Sequence, residues 1–429
     1  MKLSEPIAGI LIFISFLLTN YAYFINNNLF IFAGIFAWVA LMILFHKIAN
    51  KKLIYILLIL TFCSIFISSY NHFEIDFKKA IVVNQYLLTL LIGVAFLRLV
   101  AIPKEEKIKQ LPTGKSAFFK TYVGIHLFGS VINLSSLILV ADKLYKNAPL
   151  SKIQIMVLTR AFSSDAYWSP FFVAFAAAMT YAPHLNSLTI IISGLFLALM
   201  AFFITYLEIH FDKNYDFKTF QGYPIHFETL YLPFLLAGMV LVTNHYYPLL
   251  KIIVLISFFS LILALVILPL KTTVQNSMRL FGKHITEELP KMKNELALFL
   301  VAGAFGVAIS SILVGLNIQL PFDVFDAKVA SVLLLILILL SFIGIHPIIS
   351  IAVIGNWMNE LNHTLLAMTF LMSWSTAVSS SPFSGVNLTM QSRYSLKALD
   401  MLKLNVSYTY KMYLLCVIVL FVLANYLKL

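Results

Sequence analysis

The chain has 429 residues, of which 61% are hydrophobic and 11% charged, and carries a formal charge of +12. A water-soluble domain keeps roughly a quarter of its residues charged, which excludes an ordinary soluble fold. The basic residues sit in short clusters between apolar runs, as positive-inside sorting requires, so the charge marks membrane topology and not a nucleic-acid partner. The only cysteines, Cys63 and Cys416, both lie inside apolar stretches and support neither a disulfide framework nor a zinc site.

Apolar runs near the ~20 residues that cross a bilayer core predict spans at about 6–25, 29–46, 53–69 and 79–102. The first has no small-residue cleavage pattern and reads as a retained helix. A lysine-rich loop over 103–116, with Lys104, Lys107 and Lys109, leads into interrupted apolar stretches at 117–147 and 150–183 and a regular span at 187–208. The second half has spans at about 227–245, 248–269 and 296–316, with a polar segment at 271–295 expected to lie along the cytoplasmic surface. An apolar region at 327–361, an interrupted one at 364–391 and a last span at 405–427 complete the chain. Arg98 and Glu228 lie near span ends and read as interfacial anchors.

Orientation tests this outline. With a cytoplasmic N-terminus, and with 117–147 and 327–361 as re-entrant hairpins, nearly all loop lysines and arginines fall on the cytoplasmic side. The opposite face keeps Lys78, Lys79, Lys251, Lys328 and Lys428, and the C-terminus. Full spans in place of the hairpins spoil that separation. The expected fold is therefore an all-α polytopic membrane protein with about 11 transmembrane segments plus two re-entrant hairpins.

The two halves share a motif. Residues 161–171, ending Ser169-Pro170-Phe171, align without gaps on 373–383, ending Ser381-Pro382-Phe383. An aromatic-Ser-Ser/Thr step precedes each at the same distance, and a glycine-containing interruption (Gly129, Gly344) lies upstream of each. The expected layout is an extra N-terminal helix (1–28), repeat 1 (29–208), a cytoplasmic connection (209–226) and repeat 2 (227–429). The hairpins open to opposite sides, so the repeats are inverted, as in many secondary transporters.

Proline removes a backbone donor and clashes one turn back, so each helix should open just before Pro170 and Pro382. In hydrocarbon such a break is tolerated only where it is buried in protein or lines a cavity. Unwound carbonyls with the hydroxyls of Ser163, Ser164, Ser375 and Thr376 would suit Na⁺, while helix N-termini at the prolines favour an anionic group. Gly129 and Gly344 lack side chains and let the tips approach the breaks. One cation site per repeat, flanking a shared substrate site, is the simplest construction.

Asp165 could ligate a cation or carry a proton, or pair with Arg160, which could instead neutralise a substrate carboxylate or snorkel to the interface. His346 could sense protons or touch substrate, and His126 has a weaker claim of the same kind. Asn133 could ligate through its amide oxygen. Ser379, Ser380 and Ser381 could contact solute or simply pack helices closely.

An extra first helix followed by two inverted repeats with hairpins and interrupted helices resembles the ion-transporter superfamily, in particular its divalent-anion/sodium symporters and arsenite-type permeases. The resemblance implies a homodimer in which hairpins and broken helices move as an elevator against a scaffold. It places site elements at the two tips and at 163–170 and 375–382. The expected activity is secondary transport of a small anionic organic solute coupled to Na⁺ or H⁺, with no cofactor beyond that ion, across a bacterial cytoplasmic membrane. Alternatives are a proton-coupled antiporter or exporter of a cation, oxyanion or metabolite and, more remotely, a membrane-embedded glycan- or lipid-modifying enzyme, which would ordinarily show a large catalytic loop.

Overall fold

The computed structural model describes residues 4–49, 51–101, 111–224, 231–358 and 360–429. Lys104, Lys107, Lys109 and Glu228 lie outside these residues. In chain order the helices are α1 (Ser4–Phe24), α2 (Phe30–Leu44), α3 (Lys51–Tyr70), α4 (Phe77–Val82) and α5 (Gln85–Ala101). Then follow α6 (Gly114–Ile132), α7 (Leu134–Tyr145), α8 (Lys152–Ser163), α9 (Val173–Tyr181) and α10 (Ser187–Phe211). The second half holds α11 (Tyr231–Tyr246), α12 (Ile252–Lys271), α13 (Val274–Lys283), α14 (Lys293–Gly315) and α15 (Ala327–Phe342). Last come α16 (Pro347–Trp357), α17 (His363–Ser380), α18 (Gly385–Tyr394) and α19 (Ala398–Leu427). Among the described residues the one β-type pairing is an isolated antiparallel bridge between Thr113 and Gln221.

Eight helical segments among the described residues are long and apolar enough to cross a membrane. Helices suit that setting because every mid-helix N–H and C=O is satisfied within the segment. The predicted span at 79–102 is two helices, interrupted at Val83 and Asn84. Asn84 is buried there and donates its side-chain amide to the Phe299 carbonyl at 2.7 Å.

The chain forms two compact units, each drawing on both halves of the sequence. Unit 1 comprises α1 to α5, α11 from Phe234, α12 to α14, and α16 from Ile348. Its tightest pairings set α1 on α2, α5 on α12 and α3 on α14. Close approach needs small residues: a Cβ at Gly93 would stand 2.7 Å from the Ser257 Cα. Gln85 ties α5 to α1 by donating to the hydroxyls of Ser15 at 2.6 Å and Thr19 at 2.9 Å.

Unit 2 comprises α6 to α10, α15 and α17 to α19. Two of its segments are buried on every side: α8 from Ile153 to Ser163, and α17 from Thr364 to Ser380. Each starts at a defined cap. Ser151 and Gln154 form a capping box on α8, and Asn362 accepts from the N–H groups of Thr364 and Leu365 on α17. By contrast α10 exposes Leu188, Ile192, Leu195, Leu199 and Phe203 along one stripe, the pattern of a face turned to lipid. Unit 2 therefore holds its two polar, interrupted helices inside and sheathes them with apolar ones.

Candidate functional site

The two Ser-Pro-Phe steps are built alike. α8 ends at Ser163, a 3₁₀ turn covers Ser164–Tyr167, and α9 begins at Val173. In the second copy α17 runs to Ser380 and α18 begins at Gly385. Both interruptions thus span the proline, whose missing N–H and bulky ring forbid continuing the helix.

At each step the serine holds a neighbouring helix end. Ser169 Oγ donates to the Ser130 carbonyl and Ser381 Oγ to the Ser341 carbonyl, both at 2.6 Å. Each hydroxyl oxygen also accepts from the phenylalanine N–H two residues on, at 3.3 Å for Phe171 and 3.2 Å for Phe383. Each serine carbonyl accepts from the N–H three residues on, Phe172 and Ser384, at 3.1 Å. Ser375 Oγ donates to the carbonyl of Ser163, its counterpart in the other copy, at 2.7 Å. The bond is not reciprocated, because Ser163 Oγ donates to the Arg160 carbonyl. Ser169 and Ser381 themselves are held alike, so Ser169→Ala and Ser381→Ala should behave as a matched pair. Each removes a side-chain donor from a helix-end carbonyl, of which Ser341 keeps the Gly344 N–H at 3.2 Å, for an expected loss of about 1 kcal/mol on thermal unfolding in detergent.

The tips correct one expectation. Gly129 lies within α6 and makes no turn; the residue that turns between α6 and α7 is Asn133, with φ 53° and ψ −144°. Its counterpart in hydrogen-bond position is Gly344, at φ 100°, three residues beyond Ser341 as Asn133 is three beyond Ser130. An asparagine in that region is strained, because glycine alone adopts it at little cost. Gly129 lies close against the first break: a Cβ there would stand 2.2 Å from Asp165 Oδ2.

The hydroxyls proposed from sequence as ion ligands all donate to backbone carbonyls. Ser163 reaches Arg160 at 3.1 Å, Ser164 reaches Ala161 at 2.7 Å and Thr376 reaches Met372 at 2.7 Å. Ser379 and Ser380 both donate to the Thr376 carbonyl, and Ser380 also meets the Thr409 hydroxyl. Back-bonding of this kind bends and loosens a helix end. Among the described residues no group of three or more His, Cys, Asp or Glu side chains could hold a metal ion.

The charged residues sort into two separate sets. Arg160, fully buried, donates from Nη1 to Glu208 Oε2 at 2.5 Å, from Nε to Asn405 Oδ1 at 2.8 Å and from Nη2 to the Leu404 carbonyl at 2.7 Å. Its guanidinium also stacks 4.4 Å from the Tyr408 ring centroid. Asp165, also fully buried, has His126 as its partner, with Nδ1 2.7 Å from Oδ1. The pairing of Asp165 with Arg160 considered from sequence does not occur. Glu208, Asn405 and Asn387 were not singled out in the sequence. Asn387 is fully buried and donates to the carbonyls of Ser379 at 3.2 Å and Ser381 at 2.8 Å, bracing the second break. No spacing rule relates these residues to the motif.

Beside the second break opens a cavity of about 20 Å³, counted as room for the centre of a water molecule. Ser341, Gly344, His346, Val378, Ser381 and Ser384 are among its lining, and its size admits a water or a small ion. His346 stands perpendicular to Trp374, ring centroids 5.4 Å apart.

Among solved structures, one similar to this chain is the crystal structure of the Alcanivorax borkumensis YdaH transporter, described as having an unusual topology. The match has a TM-score of 0.50 at 14% sequence identity and covers 80% of this chain and 84% of that one. This chain is an all-α polytopic membrane protein. No protein-family model matches it, and no curated protein matches its sequence. The likeness at this identity is one of fold.

Proposed function

We propose that the protein is a secondary active transporter of a small anionic organic solute, driven by a coupling cation. The observation that carries this reading is the pair of buried helix breaks with the same hydrogen-bond pattern, each serine gripping the end of a neighbouring helix. Broken helices deep in an apolar bundle are costly, and two matched ones serve a site between repeats. The N-termini of α9 and α18 add a positive field that favours a carboxylate or similar anion. The resemblance to elevator transporters and the grouping of both breaks in one compact unit support movement of unit 2 as the carrier. In this reading the protein is an inner-membrane homodimer with its N-terminus in the cytoplasm, and it performs no covalent chemistry.

The test is a stabilisation screen of purified protein against small carboxylates and oxyanions, with and without Na⁺ and across pH, followed by flux in proteoliposomes. The expected result is a hit whose stabilisation depends on Na⁺ or pH and whose uptake needs the matching gradient. Conversion of the hit to a product without any gradient would overturn transport in favour of catalysis. A second reading, exchange against protons, is favoured by the buried Asp165–His126 pair; reversing the pH gradient separates it from symport.

A further inference from the structure

We propose that Asp165 is a proton-binding site, with the proton on Oδ2 and with His126 and Trp168 arranged to keep it there. This deepens the transporter reading by naming the coupling ion at the first break.

The first argument is the histidine's tautomer. His126 Nδ1 faces three oxygens: Asp165 Oδ1 at 2.7 Å, Ser164 Oγ at 2.9 Å and the Ala161 carbonyl at 3.3 Å. The Ser164 hydroxyl already gives its proton to that same carbonyl, so it too acts as an acceptor toward the ring. On the other side Nε2 receives Trp168 Nε1–H at 3.2 Å. An indole N–H can only donate, so Nε2 is the acceptor and Nδ1 carries the hydrogen. A second proton on the ring would sit on Nε2 and point at the indole hydrogen. Trp168 thereby keeps His126 neutral and leaves any added proton to the carboxylate.

The second argument is the state of that carboxylate. Asp165 is fully buried, and neither carboxylate oxygen has a hydrogen-bond partner among the described residues, although Oδ1 lies 2.7 Å from His126 Nδ1 while Oδ2 faces no ring nitrogen at all. A buried ionised oxygen without a donor is expensive, whereas a neutral acid is not. The space around Oδ2 decides between cations. Gly129 lies so close that a single added carbon would stand 2.2 Å from it. A sodium ion at Oδ2 needs several further oxygens around it, and the α6 backbone occupies that side. A proton needs no such room.

Among the described residues on the elements around the first break, the remaining charges are engaged elsewhere or stand at helix ends. Tyr167 of the same 3₁₀ turn meets the Thr376 hydroxyl. The titratable side chains of α6 near this point are His126 and Tyr122, with Lys115 and Lys120 toward its start. α8 offers Lys152 at its start and Arg160, which is bound to Glu208 of α10; Lys411 holds the same glutamate at 2.6 Å. α10 otherwise brings Tyr206 and His210, and α9 brings Tyr181 at its far end. Along α17 the one titratable side chain is His363, at the opposite end from the break, and Ser375 and Thr376 face this region as neutral hydroxyls. Proton binding converts an Asp⁻–His pair of net charge −1 to a neutral AspH–His pair, and release restores the charge. A carrier that must cross a low-dielectric barrier in two forms needs that switch.

The test uses the purified full-length protein and infrared difference spectra between acidic and alkaline buffer, in H₂O and D₂O. The expected result is a carboxylic-acid C=O band that shifts in D₂O, is lost in Asp165→Asn, and is unaltered by added Na⁺. Trp168→Phe keeps the carboxylate but frees Nε2, so the band should weaken while ¹⁵N-histidine NMR shows an imidazolium. A band that survives Asp165→Asn, one that Na⁺ displaces, or a Trp168→Phe protein with both signals unaltered would each overturn the proposal. None of these readouts requires a solute. Their failure leaves gradient-driven transport intact, and loss of flux with the band in place would remove the transporter reading alone.

Discussion

Arg160→Met is expected to destabilise unit 2 by about 3–5 kcal/mol, the usual range when one partner of a buried ion pair is deleted. The guanidinium is fully enclosed and has defined partners on each of its three nitrogens: Glu208, Asn405 and the Leu404 carbonyl. Removing it strands the Asn405 amide oxygen, leaves the Leu404 carbonyl to its place in the α19 ladder, and leaves Glu208 with Lys411 and Ser407 as its remaining contacts. Because Lys411 still screens that carboxylate, the arginine deletion should fall at the low end. Glu208→Gln should fall at the high end, since it leaves a buried cation among neutral acceptors. The double variant should lose less than the sum, and thermal unfolding in detergent across the four proteins measures the coupling directly. Arg160→Lys should rescue little, because an ammonium cannot span three separated acceptors as the planar fork does.

Gly194→Ala should be the most damaging single-methyl change near the breaks, at about 3 kcal/mol. α10 crosses the first break at this glycine, where a Cβ would lie 2.2 Å from the Tyr167 carbonyl oxygen, 2.6 Å from its carbon and 2.7 Å from Trp168 Cβ. These atoms are backbone, or fixed directly to it, so no rotamer change relieves the clash. Either α10 moves away or the 3₁₀ turn shifts, and the second outcome moves Asp165 and Trp168 together. Thermal unfolding should therefore fall sharply, and any flux measured in the wild type should vanish with it. Gly129→Ala offers an instructive contrast. Its clash is with the end of the Asp165 side chain, which can rotate, so stability should suffer less while the 2.7 Å approach to His126 is lost. Unequal stability losses with equal loss of flux would separate the two effects. Equal stability losses would show that the Asp165 side chain is as rigidly held as the Tyr167 backbone.

Much of this architecture is local chemistry and so was open to reading along the chain. Runs of apolar residues long enough to span hydrocarbon define helices wherever they occur, and the observed helices α1, α2, α3, α10 and α12 follow the predicted spans closely. The breaks at Pro170 and Pro382 are equally local, because a proline's missing N–H acts on its own turn whatever the surroundings. The turn between α6 and α7 is a different matter. The sequence places the interruption at a glycine-containing stretch, yet the break falls at Asn133 and Gly129 stays helical. Ser169 grips the Ser130 carbonyl just before that turn, and this contact joins residues far apart in sequence.

The same reason explains the charges. The Ser-Pro-Phe motif by itself located the two interruptions, but Asp165 and Arg160, close neighbours in sequence, invited a pairing that helix geometry forbids. Three steps at about 100° along α8 and two at about 120° in the 3₁₀ turn amount to about 540°, which leaves the two side chains on roughly opposite sides of the axis. Arg160 therefore faces Glu208 and Asn405 from α10 and α19, and Asp165 faces His126 from α6. The sequence alone determined that this protein crosses a membrane on helices and that two of them break at proline. The tertiary structure alone decided which buried charge meets which partner, because that choice depends on helices packed side by side from distant parts of the chain.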